Sequence, residues 1–170
     1  VAQNTLKVLL LKLKEAPLEN KWALPGGLVT ANETLEDAAQ RHLVTKVGVK
    51  SNVLIEQLYT FGDPTRDPNG WVVSVAYMAL IPENTFTPKT QERYADISWH
   101  SISNLPKLAY DHDLVIKTAV ERLKSKLEYT NIIYTLMPEE FTLTQLQRVY
   151  ETILQRNLDK RNFRKKILAL

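Results

Sequence analysis

The sequence predicts an α+β domain followed by a small all-helical module. Three observations carry that expectation. Up to about residue 129, apolar or alternating runs of strand character are interrupted by only two amphipathic helical patterns. Beyond residue 141 only helical patterns remain, two of them joined by the short turn QRNLD. The charge changes at the same place: residues 1–140 carry 15 Lys/Arg against 17 Asp/Glu, and residues 141–170 carry seven against two.

The elements follow in order. TLKVLLLKL (5–13) alternates and then runs apolar, which predicts a strand; EAPLENKW (15–22) is turn-like, and ALPGGLV (23–29) is a short extended piece with a glycine pair. TLEDAAQRHLVTKVG places Leu35, Ala38, Ala39, Leu43 and Val47 at helical spacing, with Asn32 or Thr34 to cap the start and Gly48 to stop the end. NVLIEQLYTFG (52–62) is a strand; DPTRDPNG (63–70) is a loop by its Asp-Pro and Asn-Gly steps. WVVSVAYMALI (71–81), the longest β-branched apolar run, is expected to be a central strand, and PENTFTPKTQE a loop. YADISWHSISNLP (94–106) gives a strand and then a turn. AYDHDLVIKTAVERLKSKLEY (109–129) gives a long connecting helix with Leu114, Ile116, Ala119, Val120, Leu123 and Leu127 inward. NIIYTLM (131–137) is expected extended and buried, and Pro138 breaks the chain. TLTQLQRVYETIL (142–154), capped by Thr142, and KRNFRKKILAL (160–170) are the last two helices. The expected division is 1–127 and 128–170.

Composition narrows the function classes. With 44% hydrophobic and 24% charged residues the chain is ordinary for a globular protein, and no apolar run approaches the ~20 residues that cross a bilayer. The absence of cysteine excludes disulfides and thiolate metal sites and fits a cytoplasmic location. Val1 at the start and KKILAL at the end suggest further residues on both sides. The positive charge of the last 30 residues suits a polyanion, or else is a solvated helix face.

Two helices with a short turn between them have the spacing of a helix-turn-helix, whose second helix can enter a DNA major groove. Its polar face would present Lys160, Arg161, Asn162, Arg164, Lys165 and Lys166; Arg and Asn can contact base edges, and Lys mainly phosphates. Leu143, Leu146, Val149, Tyr150, Ile153, Leu158, Phe163 and Ile167 would form the core between the helices. Docking of this basic pair on another protein is the rival reading.

The glycine pair leads into a specific motif. Five residues separate Gly27 from Glu33, seven separate Glu33 from Arg41, and Gly48 and Val49 close the pattern. With WALPGG ahead of it, this resembles the Nudix box, G-x5-E-x7-R-E-U-x-E-E-x-G-U with U aliphatic. The resemblance implies an α/β/α sandwich around a mixed sheet over roughly residues 1–125, in which Glu33 and Arg41 pair and brace the loop and helix. In active Nudix enzymes three acidic positions of the box gather a divalent magnesium or manganese ion on the substrate diphosphate. Here those positions are His42, Thr45 and Lys46. A lysine where a carboxylate would hold the metal costs about 4 kcal/mol of Coulomb energy at short range. His42 is a weak ligand for a hard cation, or an exposed helix residue. Glu36 and Asp37 could serve as substitute ligands, but are expected to face solvent in the first turn, where they suit the helix dipole. The expectation is no catalytic residue, no bound metal or other cofactor, and little or no diphosphate hydrolysis; magnesium or manganese would be needed only if the chain were a hydrolase. Gly26 and Gly27 still offer backbone N–H groups to an anion.

Arg66 in the rigid turn GDPTRDPNGW can contact phosphate through two donors, or pair with Asp63 or Asp67. A similar TFGDPxRDP segment before a VVSVAY strand occurs in Nudix proteins that handle ADP-ribose and in regulators derived from them, where Arg66 and Asp67 would help build the ligand mouth. FTLTQLQRVYE, NFRKKIL and LAYDHDLVIKTAVERLKSKLEY extend the likeness. Nearly the whole chain resembles the Nudix-related transcriptional regulators, a Nudix domain fused to a winged helix-turn-helix. Here the module would be truncated: the wing is not among these residues, and the first strand looks short. The resemblance implies a dimeric repressor that binds operator DNA and senses ADP-ribose or a related nucleotide sugar. Regulation of NAD synthesis is one role within the family and sugar use another. Gly26, Gly27, Glu33, Arg41, Arg66 and Asp67 would line or brace the effector site. The alternative is a Nudix hydrolase of ADP-ribose-like nucleoside diphosphates with a displaced metal site.

Overall fold

The computed structural model describes residues 5–49, 53–82, 87–89 and 92–169. Strand β1 (Lys7–Leu13) lies between β2 (Trp22–Ala23) and β5 (Tyr94–Ser101), antiparallel to both. An isolated parallel bridge joins Trp22 to Leu108 outside the named strands, and every strand pairing among the described residues is antiparallel, so the expected mixed sheet shows only in that bridge. β3 (Ile55–Phe61) and β4 (Ser74–Ala79) form a second, antiparallel pair. Leu9 and Leu11 of β1 pack with Tyr94 and Ile97 of β5 and with Val47 and Val49, so the sheet and the end of the first helix share one core.

That helix, α1 (Leu35–His42), starts at Thr34. The Thr34 hydroxyl accepts from the Asp37 N–H, and the Asp37 carboxylate accepts from Thr34 in return, a reciprocal cap. Asn32, the other capping candidate, instead occupies a left-handed turn position. Beyond His42 the chain widens into one π-helical turn, Leu43–Val47, and stops at Gly48, whose φ of 79° is left-handed. A side chain there would be strained, which is the reason for glycine at the C-terminal stop.

Helix α2 (His112–Tyr129) crosses from the sheets to the helical unit. Val115 packs with Leu58 and Phe61 of β3. Glu56 of β3 accepts from Lys126 at 2.6 Å, and Arg122 donates to the Leu58 carbonyl at 3.1 Å. At its far end Leu123 and Leu127 enter the core made by α3 (Leu143–Leu154) and α4 (Lys160–Ile167). Thr142 caps α3 with Gln145 as its reciprocal partner, and Asp159 caps α4. Leu146, Val149, Tyr150, Ile153 and Phe163 are buried in that core, with Leu143, Leu158 and Ile167 packed around them. Each fully buried aliphatic side chain contributes about 1.5–3 kcal/mol. Glu151 fixes the turn between the two helices: its carboxylate accepts from the Leu158 N–H at 2.9 Å and the Gln147 amide at 3.0 Å.

Several sequence expectations need correction. β4 is not central: among the described residues it pairs only with β3, and its residues are half-buried. Its apolar character has another cause, because Met78 and Leu80 pack against the helical core. Ile132–Leu136 is a 3₁₀ helix rather than an extended segment, although Ile133 is fully buried as expected. A five-residue apolar run does not distinguish the two by periodicity. On α2 Val115 is buried together with Ile116, Leu123 and Leu127, while Leu114 is half exposed. Asn52, most of the 82–92 loop and Leu170 lie outside the described residues.

Candidate functional site

The loop 24–34 is held against α1 by a small set of side chains. Arg41 donates to both Glu33 oxygens, Nε at 2.8 Å and Nη2 at 2.5 Å, and the Thr30 N–H adds a third bond at 2.6 Å. Arg41 beside it, helped by the Thr30 amide, holds the Glu33 carboxyl down at about 2. Arg41 Nη2 also reaches the Leu28 carbonyl at 3.1 Å. Glu33 and Arg41 are thus turned toward each other and toward the loop, in the bracing arrangement expected of them.

The three positions that carry acids in active Nudix enzymes do different work here. Lys46 places its ammonium on the Gly26 carbonyl. His42 is buried, not exposed as expected, and its Nε2 lies 3.2 Å from the Leu28 carbonyl. A carbonyl only accepts, so Nε2 carries the proton and Nδ1 is left as a buried acceptor without a partner among the described residues. Burial pushes the His42 pKa down, and the charges of Lys46 and Arg41 add to this. Thr45 is exposed and bonds back to the Arg41 carbonyl at 2.7 Å. A Cβ on Gly27 would come 2.5 Å from His42 Cε1 and 3.0 Å from Lys46 Nζ, so any larger residue there would displace the ring and the ammonium. Gly26 has open space around it. Neither the Gly26 nor the Gly27 N–H donates to a backbone or side-chain acceptor among the described residues.

Arg66 pairs with neither Asp63 nor Asp67. Its guanidinium makes two bonds to Asp111, Nε–Oδ2 2.9 Å and Nη2–Oδ1 2.7 Å. Asp63 and Asp67 instead accept the N–H groups two residues on, from Thr65 and Asn69, and so shape their own turns. Next to Asp111, His112 Nδ1 accepts from the Leu24 N–H at 2.9 Å. Burial drives its pKa down to about 4, so the imidazole is neutral. Tyr110 sits beside this group, and burial with the nearby Asp67 raises its pKa. The start of α2 therefore holds both the approach to the glycine pair and the Arg66 turn. Asp111 and His112 were not singled out from the sequence; the polar YDHD ahead of the helix was the available signal.

On the helical unit all six basic-face residues, Lys160, Arg161, Asn162, Arg164, Lys165 and Lys166, are exposed on α4, and none is in a salt bridge among the described residues. Phe163 is turned inward against Tyr150, ring centroids 5.2 Å apart. Two concavities, of about 370 and 290 Å³, lie at the α3–α4 turn (Arg148, Glu151, Arg156) and between α2 and α4 (Leu127, Tyr150, Phe163), not beside Gly26. The glycine loop itself is open to solvent, with Leu28 exposed.

A braced glycine loop and helix over an α/β body, followed by a capped helical pair with a basic second helix, define a Nudix-fold protein fused to a DNA-binding helical domain. The NUDIX domain profile matches residues 1–121, and that of the NrtR DNA-binding winged helix domain matches residues 133–170. The ADPR responsive transcriptional repressor NtrR of Acinetobacter baylyi is 38% identical over 172 residues, 99% of this chain and 68% of that protein. An ADP-ribose pyrophosphatase of Methanocaldococcus jannaschii is 34% identical over 117 residues, 69% of this chain and 68% of that one. The crystal structure of Shewanella oneidensis NrtR complexed with a 27mer DNA superposes with a TM-score of 0.81 at 34% identity, covering 98% of this chain and 77% of that one. The NUDIX domain of the same protein with ADP ribose gives 0.61 at 36% identity, covering 70% and 79%. The chain belongs to the Nudix-related transcriptional regulators, in which a NUDIX domain precedes a DNA-binding winged helix.

Magnesium or manganese, the ion of active Nudix enzymes, does not fit this loop. The Lys46 ammonium already sits on the Gly26 carbonyl, Glu33 already accepts three hydrogen bonds from Arg41 and Thr30, and the ring of His42 packs against Gly27. Among the described residues no three His, Cys, Asp or Glu side chains come together elsewhere. No helix among the described residues is long and apolar enough to cross a membrane.

Proposed function

We propose that this chain is a cytoplasmic, DNA-binding transcriptional repressor whose NUDIX domain binds ADP-ribose as an effector without hydrolysing it. The single observation that carries the reading is Lys46 on the Gly26 carbonyl: a fixed positive charge occupies the place where catalysis would require carboxylates around a metal. Gly26 and Gly27 offer a diphosphate N–H groups that have no acceptor among the described residues, Glu33 and Arg41 hold the loop in shape, and Asp67 and Arg66 both lie near Tyr110 at the start of α2. The exposed cations of α4 supply the DNA face.

The effector and DNA units divide at about residue 127, with α2 shared between them. In a two-fold dimer, two α4 helices would reach successive major grooves about 34 Å apart. Ligand at the glycine loop would act on α2 through Asp111 and His112. A coupling of about 1–3 kcal/mol changes operator affinity 5- to 150-fold, enough for a switch. The test is fluorescence anisotropy on a duplex selected for binding from a random pool, titrated with ADP-ribose. A change in affinity supports the reading, and indifference to ADP-ribose at saturating concentration rejects it.

Hydrolysis of ADP-ribose-like diphosphates is the second reading. The identity to the Methanocaldococcus jannaschii pyrophosphatase favours it. The acid-free face of α1 weighs against it.

A further inference from the structure

The metal-free loop raises the question of what would balance the charge of a bound diphosphate. A nucleoside diphosphate sugar brings two negative charges to Gly26 and Gly27, and their two free N–H groups are neutral donors. Arg41 is committed to Glu33, and Arg66 to Asp111. The Lys46 ammonium is different. Its partner among the described residues is a neutral carbonyl, that of Gly26, and it lies 3.0 Å from where a side chain on Gly27 would begin. An ammonium has three donors, so two remain for oxygens arriving over the loop. The ring of His42, held neutral by its bond to Leu28, packs beside it and adds no competing charge.

We propose that the Lys46 ammonium is the resident cation of this site: it takes the place of a divalent ion in holding the effector diphosphate, so that binding needs no metal. This deepens the proposed function and rests on its assignment of a nucleoside diphosphate to the loop. The π-helical turn from Leu43 to Val47 carries Lys46, and Gly26 fixes its head group, so the charge is in place before ligand arrives. A fixed charge loses little freedom on binding, whereas a loosely held metal would have to be recruited.

The experiment is a calorimetric titration of ADP-ribose into the full chain, in EDTA and again in millimolar magnesium. The expected result is the same affinity in both. Lys46→Met, which keeps the aliphatic stem, should weaken binding about 10- to 100-fold in both buffers. Lys46→Arg should recover most of the loss, which a merely structural effect of the substitution would not give. Circular dichroism melting of each variant establishes that the fold is intact. Binding that disappears in EDTA and returns with magnesium overturns the proposal while leaving the effector assignment standing. Full affinity in a folded Lys46→Met variant does the same. Absence of binding by the unaltered chain in both buffers rejects the effector assignment, and this proposal with it.

Discussion

Arg66 and Asp111, 45 positions apart in sequence, form a two-point ion pair in which only 6% of the Arg66 side chain is exposed. Asp111 precedes α2, and the following residue, His112, holds Leu24. The first residues of one helix thus grip both sides of the candidate effector site, and the same helix ends in the core of the DNA-binding unit. Asp111→Ala should cost about 2–3 kcal/mol in urea unfolding, because it leaves a covered guanidinium unpaired. The double variant with Arg66→Ala should cost less than the sum of the two single changes. Strict additivity would show that the two side chains do not support each other.

The two neighbouring glycines should respond differently. Gly27→Ala drives a methyl to 2.5 Å from the His42 ring, so ring and Lys46 must shift, at about 1–3 kcal/mol. Gly26→Ala meets nothing within 4 Å and should be close to neutral. Thermal unfolding of the two variants is the check.

His112 sets a pH dependence. Its folded pKa of about 4 lies below the ordinary 6.5, so as pH falls the unfolded chain takes up the proton first. Stability present above pH 6.5 is therefore lost between about 6.5 and 4, by an amount on the order of 3 kcal/mol. Glu33 also loses its contribution on acidification, but only between 4.5 and about 2, outside that window. His42, shifted in the same direction as His112, adds to the loss. His112→Gln should flatten the curve between pH 7 and 4.5 relative to the unaltered chain. Parallel urea curves at both pH values would contradict this.

On α4, Arg161→Ala and Arg164→Ala should each weaken DNA binding. An arginine that neutralises a phosphate adds about 1 to the slope of log affinity against log salt, so its removal should flatten that slope by the same amount. Anisotropy at several salt concentrations separates residues that hold phosphates from residues that read bases. An unchanged slope and affinity in the double variant would favour a protein-docking role for this helix.

Much of the fold was legible because it depends on local chemistry. Gly27, Glu33, Arg41, Gly48 and Val49 marked the loop and helix through their resemblance to the Nudix box. Thr34 and Thr142 were legible as helix starts, although their reciprocal partners Asp37 and Gln145 were not singled out, and the 3.6-residue pattern gave the α3–α4 core. What escaped was set by long-range partners. Nothing near Arg66 points to Asp111 rather than Asp63 or Asp67. Nothing in the α1 pattern says that His42 folds under Gly27, because that depends on how the loop returns over the helix. The apolar run of β4 reported burial correctly in part, but not that its neighbour is the helical unit rather than further strands.

The central claim is that the NUDIX domain holds ADP-ribose and leaves it whole. Phosphorus NMR of ADP-ribose with an equimolar amount of the full chain and millimolar magnesium tests both halves at once. The predicted result is two diphosphate resonances that shift or broaden on addition of protein and persist for hours. Their replacement by the two monoester signals of AMP and ribose 5-phosphate would contradict it.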